Sequence, residues 1–262
     1  MAIQAILIFG LVQILMKKNL HGLQMIFIFF WILTMQVIIM FSMDFSVCFY
    51  IYMFGSLAML LSNKVRKHYI YTFLILGMMT SYCDFLTWPI VTLIMPLITY
   101  LYLEKRKLIS VIGASISWGI GYAVFWAEKW IIGSMILDDN IIQNAIKQLK
   151  YRSSMNEESK EIGTIFIETL KINFSVFTKK GYLVIIALAL AGAFLFLLYK
   201  IYKGGNLQKS KLINYSSMLI LPIGWYMITT NHAIIHYWMT WRTAATFIVI
   251  IFAILIDCVQ KE

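Results

Sequence analysis

Residues 181–200 read GYLVIIALALAGAFLFLLYK, and this apolar run decides the class of fold. The first charged side chain after Gly181 is Lys200, at the end of the run. About 20 apolar residues in a helix span about 30 Å, which is the thickness of the hydrocarbon core of a bilayer. Lipid offers no hydrogen-bond partners to an open backbone, so a helix is the form expected there. The run therefore predicts a transmembrane helix.

Similar apolar runs occur along the whole chain. The sequence is 61% hydrophobic and 13% charged, whereas a soluble domain has about a quarter charged residues. We therefore predict an all-α fold, a polytopic transmembrane helical bundle that forms a single membrane domain over residues 1–262, with about nine spans. The predicted spans are 2–16, 23–42, 45–62, 68–83, 89–103, 108–127, 181–200, 212–230 and 239–258. About six of them fall in residues 1–127 and about three in residues 181–262.

The basic residues predict the orientation of these spans. The chain carries a formal net charge of +10, and many of its lysines and arginines lie in short loops between apolar runs. The clusters are Lys17 and Lys18; Lys64, Arg66 and Lys67; Lys105, Arg106 and Lys107; Lys200, Lys203, Lys209 and Lys211; and Lys261. If all the predicted spans are real, these clusters fall on one side of the membrane. Short basic loops mark the cytoplasmic side.

This orientation fixes the expected location and partners. We expect a multi-pass protein of the bacterial cell membrane, with its N-terminus outside, its C-terminus in the cytoplasm and the lipid bilayer as its environment. No nucleic-acid partner is expected, because the basic residues do not form a stripe with interleaved aromatic rings. The inner loops are expected to carry solvated lysines, and Asp257 is expected to be interfacial and without function.

Residues 128–180 are expected to form an interfacial segment on the outer face. Between residues 130 and 149, apolar residues recur near helical spacing and are interrupted at residues 138–140. This pattern predicts two short amphipathic helices in the membrane interface, and residues 163–177 predict a further one. The composition fits either a lid over an outer cavity or a connector that lies along the membrane.

Small residues four positions apart occur in the sixth predicted span, at Gly113, Ser117 and Gly121. Small side chains at this spacing let two membrane helices approach each other closely. We therefore predict that this face of the span makes a tight contact with another helix.

The first candidate site is the segment 81–89, SYCDFLTWP, which interrupts the apolar chain with an acid, aromatic rings and a proline. Thr87 or Trp88 can cap the fifth predicted span with Pro89 in its first turn, where a missing N–H costs nothing. Asp84 then lies near a helix N-terminus at the outer surface. A carboxylate there either caps the helix or acts as a general base or a ligand to substrate hydroxyls. Asp84 is the candidate catalytic residue, and Asp84, Thr87 and Trp88 are candidate substrate-binding residues.

The second candidate group lies in residues 231–242, NHAIIHYWMTWR. His232 and His236 share one face of a helix at a spacing that metal ligands can use, but no HExxH glutamate lies between them. Interfacial histidines in an aromatic belt are the alternative. No cofactor is therefore assigned, although a divalent metal stays open. Arg242 enters the last predicted span, where a guanidinium suits either a substrate phosphate or lipid headgroups. Asn231, His232, His236 and Arg242 complete the candidate substrate-binding residues.

Both segments resemble motifs of an uncharacterised family of polytopic membrane proteins in Gram-positive bacteria. Residues 84–97, DFLTWPIVTLIMPL, are similar to the family's DFLTxPxxTLxxPL stretch, and residues 231–242 are similar to its later NHxxxHxxxTxR stretch. The resemblance covers most of the chain. In layout these proteins are similar to GT-C glycosyltransferases, multi-span enzymes that use polyprenyl-phosphate sugars at the outer face of the membrane. They are longer at the N-terminus, so the resemblance implies that this chain is the C-terminal part of a longer protein.

The function that this resemblance implies is sugar transfer from a polyprenyl phosphate to a cell-envelope acceptor. Asp84 and the two histidines would contact sugar or acceptor, and Arg242 would contact the phosphate. GT-C enzymes usually carry the catalytic acid in a first external loop that has no counterpart here, so Asp84 is carried over only as the acid of the family motif. Two other classes stay open: a transporter or flippase of a lipid-linked or anionic solute, and a non-catalytic membrane scaffold.

Overall fold

A computed structural model of the chain describes residues 2–39, 41–84, 86–137, 140–153 and 162–260. Most of these residues are helical, which confirms the predicted all-α class. The helices are α1 (Ala2–Lys17), α2 (His21–Leu33), α3 (Gln36–Ile39), α4 (Met43–Leu61), α5 (Asn63–Lys67), α6 (Tyr69–Cys83), α7 (Val91–Leu103), α8 (Leu108–Leu137), α9 (Ile142–Arg152), α10 (Ile162–Phe174), α11 (Lys180–Tyr202), α12 (Lys209–Met218), α13 (Ile220–Ile228), α14 (Thr230–Ile235) and α15 (Tyr237–Asp257). A 3-10 turn covers Ser175–Thr178, and the short strands β1 (Asn206–Leu207) and β2 (Val259–Gln260) pair antiparallel.

Several of these helices have the length and composition of membrane spans. Within the described ranges, three helices are long and apolar enough to cross a membrane: α8, Gly181–Tyr202 of α11, and α15. Shorter apolar helices accompany them at α1, α2, Ser46–Leu61 of α4, α6 and α7. Most of α15 is buried by its neighbours, whereas α11 leaves nearly all of its apolar surface exposed. Such a surface suits contact with lipid, and the helices together identify a membrane protein.

The helix ends that carry basic clusters lie close together. Arg66 of α5 forms an ion pair with Glu104 at the end of α7, with 2.8 Å between Nε and Oε1. Asn214 of α12 donates to the carbonyl of Arg106 at 2.7 Å. Lys200 of α11 donates to backbone carbonyls at the end of α15. The predicted orientation requires neighbours of this kind, because it assigns all the basic loops to one side.

The helices α6 and α8 pack along the predicted stripe of small residues. A Cβ atom on Gly121 would overlap the carbonyl oxygen of Leu74, and a Cβ atom on Gly77 would overlap that of Trp118. The Ser117 hydroxyl donates to a backbone carbonyl of α6. The two backbones therefore touch without intervening side chains, which confirms the predicted tight contact.

Two of the predicted spans are interrupted. The second predicted span breaks after α2 at Thr34, whose hydroxyl donates to the Phe30 carbonyl at 2.8 Å. Met35 follows with a left-handed φ of 50°. The eighth predicted span breaks at Leu219, between α12 and α13, because Pro222 has no N–H for the carbonyl four residues earlier.

The first part of the predicted interfacial segment 128–180 belongs to the helix that forms the sixth predicted span. α8 continues to Leu137, so the predicted end at residue 127 is too early, and the amphipathic piece predicted from residue 130 belongs to α8. α9 and α10 follow as separate helices near their predicted positions. The predicted break at Asp138 and Asp139 lies outside the described residues, as does Lys261.

Candidate functional site at the Asp84 loop

Asp84 follows α6 directly, and its carboxylate is enclosed by its own loop. The residue is 8% exposed. The Thr87 backbone N–H donates to Oδ2 at 3.1 Å, and the Thr87 hydroxyl donates to Oδ1. The Cys48 thiol of α4 donates to Oδ1 at 3.3 Å. Burial raises the pKa of the Asp84 carboxyl above its ordinary value, and the hydrogen bonds from Thr87 and Cys48 limit the rise.

The side chains of Thr87 and Trp88 point into the protein. The Trp88 and Pro89 carbonyls accept from the first N–H groups of α7 at 3.2 and 3.0 Å, so the helical turn starts where the sequence predicts. The Trp88 indole is fully buried and stacks on Phe30, with ring centroids 6.0 Å apart. Thr87 is turned towards Asp84 and is 3% exposed. In this conformation, both side chains support the loop from within.

The Asp84 loop and the segment 231–242 are in contact. The His232 ring of α14 places Nε2 3.1 Å from the carbonyl oxygen of Leu86, a residue with a left-handed φ of 63°. The Asn231 side chain donates to the Tyr151 carbonyl at 2.8 Å and so connects α14 to the end of α9. The structure therefore brings the Asp84 loop and the start of the segment 231–242 to one surface, together with α9.

His232 and His236 lie side by side on this surface, with ring centroids 4.6 Å apart. Burial lowers the pKa of His232 to about 4; the Leu86 carbonyl opposes this effect, whereas His236 and Arg152 add to it. His232 is therefore neutral at pH 7. Because a carbonyl can only accept, Nε2 carries the proton and Nδ1 is the acceptor. The histidine pair can offer hydrogen bonds to hydroxyl groups.

Arg242 lies in the first turns of α15 and is 6% exposed. Its Nε lies 3.4 Å from the carbonyl oxygen of Thr34, at the break after α2. Its guanidinium carbon lies 4.8 Å from the centroid of the Trp241 ring. A cation suits the C-terminal end of a helix, where the backbone carbonyls give a partial negative charge. These contacts lead from Arg242 to the end of α2 and not to the Asp84 loop.

Some of the possible metal ligands at this surface are engaged by the protein. His232 donates through Nε2 to Leu86, and the Asp84 oxygens accept from Thr87 and Cys48. Across the described part of the chain, no group of three or more His, Cys, Asp or Glu side chains is placed to hold a metal ion.

Residues that were not singled out in the sequence complete this surface. Lys129 of α8 donates to the Ser81 carbonyl, and Arg152 of α9 is close enough to His232 to affect its pKa. A lysine in the continuation of an apolar run is a signal for Lys129, since such a charge usually has a partner. Arg152 and Cys48 carry no such signal, because their positions depend on how α9 and α4 pack.

Comparisons with known proteins add no relative: no family model, no curated protein and no solved structure matches the chain. The fold therefore defines the class of protein, a helical membrane protein, and no family beyond it. The function has to be argued from the geometry of the site.

Proposed function

We propose that this chain is the C-terminal part of a membrane glycosyltransferase of the GT-C kind, which transfers sugar from a polyprenyl phosphate to a cell-envelope acceptor. The proposal rests on the contact between His232 Nε2 and the Leu86 carbonyl, at 3.1 Å. This contact joins the two motifs that carry the resemblance to GT-C-like proteins, at positions 146 residues apart in the chain. Two motifs that meet beside apolar helices fit a common site for a lipid-linked substrate.

The residues of the site have different roles in this proposal. Asp84 is a positioning residue, because its oxygens hold the loop through Thr87 and Cys48. His232 and His236 contact hydroxyls of the sugar or the acceptor. Arg242 is assigned to the phosphate on the chemistry of its side chain alone, since a guanidinium matches phosphate oxygens with paired donors; its observed contacts lead to the end of α2.

We also propose about nine membrane passes, with the N-terminus outside and the C-terminus in the cytoplasm. The proximity of the basic helix ends supports this arrangement. The Asp84 loop then lies at the outer face, because α6 runs from the basic end towards it. α9 is amphipathic and α10 hydrogen-bonds to α14, so both fit a position in the outer interface.

Complementation of a deletion strain tests the proposed activity. We expect the deletion to remove a sugar from an envelope glycan and the wild-type chain, expressed in its full-length protein, to restore it. His236→Ala removes a substrate hydrogen bond and should lower the sugar content about three- to tenfold. His68→Ala is the matched control, because His68 is exposed at the opposite helix end and should restore the glycan fully. Mass spectrometry of the glycans and an immunoblot of the membranes provide the two readouts.

The outcomes separate the proposal from its competitors. Unchanged envelope glycans in the deletion strain would contradict glycosyl transfer. Full tolerance of Asp84→Asn, His232→Ala, His236→Ala and Arg242→Ala would indicate a scaffold. If the immunoblot shows that His236→Ala is absent from the membranes, its effect reports on folding. The conservative change His236→Gln then takes its place.

A transporter or flippase is the second candidate, and a specific observation favours it. Transporters often contain broken helices and buried charges. The breaks at Thr34 and Leu219 and the buried ion pair of Lys211 with Asp257 are features of this kind. Loss of solute uptake in the deletion strain, with intact glycans, would support transport in place of glycosyl transfer.

A further inference from the structure

A pocket of about 590 Å³ opens at the helix ends opposite to the Asp84 loop. Its lining includes Tyr102, Tyr199, Lys200, Lys203, Asp257 and Gln260. It lies where α11 and α15 end, and both helices are long and apolar enough to cross a membrane. The pocket is therefore at the level of a membrane surface, where polar headgroups replace hydrocarbon.

The acidic residue of the pocket already has partners within the protein. The Lys211 ammonium lies 2.6 Å from Oδ2 of Asp257, and the Tyr215 hydroxyl donates to the same oxygen at 2.9 Å. Gln260 donates to Oδ1 at 3.0 Å. Lys211 and Asp257 therefore add no net charge to the pocket.

Lys200 and Lys203 give the pocket an excess of positive charge. The Lys200 ammonium donates to the carbonyls of Ile256 and Val259 at 2.6 and 3.0 Å, which offsets the negative end of α15. These bonds leave one of its three protons for a further acceptor. Lys203 is exposed, and its ammonium lies 5.9 Å from the centroid of the Tyr199 ring. Both lysines can therefore donate to a bound anion.

The Tyr102 hydroxyl is the contact between the pocket and the start of α2. Tyr102 lines the pocket, and a Cβ atom on Gly22, in the first turn of α2, would be 2.6 Å from its hydroxyl oxygen. Lysines and tyrosine side chains around one cavity suit the binding of phosphate.

We propose that this pocket binds a phosphate-bearing anion at the membrane surface, with Lys200 and Lys203 as its principal donors. Anionic lipid headgroups and soluble phosphates share this chemistry, and basic pockets between membrane helices are typical sites for headgroups. The pocket lies away from the Asp84 loop, so the proposal does not depend on glycosyl transfer.

Binding measurements on the purified chain in neutral detergent test this site. The probes are phosphatidylglycerol, phosphatidylcholine as the neutral lipid, and inorganic phosphate. We expect phosphatidylglycerol to bind more tightly than phosphatidylcholine, and Lys203→Gln to weaken that binding about fivefold. Lys67→Gln is the matched control, because it removes an exposed lysine of the same helix ends outside the pocket, and it should leave the dissociation constant unchanged.

The different probes also show whether the bound phosphate belongs to a lipid or to a soluble molecule. Inorganic phosphate that binds with the same Lys203 dependence, without binding of phosphatidylglycerol, would assign the pocket to a soluble anion. Equal dissociation constants for Lys203→Gln and the wild type would overturn the proposal, as would an equal weakening by Lys67→Gln. The thermal midpoint of each variant without ligand shows whether its fold is intact.

Discussion

The buried ion pair of Lys211 with Asp257 leads to the sharpest prediction. The two side chains are 7% and 2% exposed, and 2.6 Å separates their charged atoms. Lys211→Met removes the cation at nearly constant volume, and Asp257→Asn removes the anion. Each change leaves an uncompensated buried charge, so each is expected to lower the free energy of unfolding by about 3–5 kcal/mol. The double variant should lose about 2–3 kcal/mol less than the sum of the single losses, because it leaves neither charge behind.

The assay is unfolding of the purified chain in mixed micelles, followed by tryptophan fluorescence. Arg66 and Glu104 provide the control pair, because their side chains are 13% and 32% exposed and solvent weakens their attraction. Glu104→Gln is expected to cost no more than about 1 kcal/mol. If the double variant loses the sum of the two single losses, to within about 0.5 kcal/mol, the reasoning is refuted.

The remaining predictions concern the helix contact and the Asp84 loop. Gly121→Ala should destabilise the protein by about 1–3 kcal/mol in the same assay, because its Cβ atom meets a backbone carbonyl of α6. A Cβ atom at Gly119 meets open space, so Gly119→Ala should stabilise α8 by up to about 1 kcal/mol. Equal effects of the two glycine variants would contradict the close contact. Burial lowers the pKa of His232 from 6.5 to about 4. Between these pH values, His232 is protonated in the unfolded chain but not in the folded chain. The free energy of unfolding should therefore fall by up to about 3 kcal/mol as the pH drops from 6.5 to 4. His232→Gln should lack this pH-dependent loss, which thermal midpoints measured at pH 7 and 5 would show. Thr87→Val removes a donor to Asp84 and should raise the rate of maleimide labelling at the buried Cys48 about tenfold, measured by peptide mass spectrometry, whereas Thr87→Ser should not.

The positions of most helices follow from the sequence because the length of an apolar run reports directly on burial in lipid. α6, for example, lies within the predicted span 68–83, and α7 lies within 89–103. Run length is a poorer guide to where a helix ends, and α8 extends to Leu137, beyond the predicted end at residue 127. The break at Thr34 was also missed, since a threonine hydroxyl within an apolar run bonds to its own helix in many places without ending it.

The candidate site was predictable in part. The two motifs could be assigned to one side from the topology, and their contact through His232 agrees with that assignment. The inward direction of Trp88 was not predictable, because an aromatic residue beside a proline suits both a core and a surface. Asp257 was expected to be interfacial, and its burial against Lys211 was not anticipated. That pairing depends on the packing of α12 on α15, and a separation of 46 residues hides it in the sequence.

The contact between α6 and α8 restricts how the protein can move. Helices that meet through long side chains can slide past each other, because those side chains change rotamer. At Gly77 and Gly121 backbone meets backbone, and no side chain is available to absorb a shift. Lys129 fastens the far part of α8 to Ser81, three residues before Asp84. We therefore expect α6 and α8 to move as one rigid unit, so that a displacement of α8 also displaces the Asp84 loop.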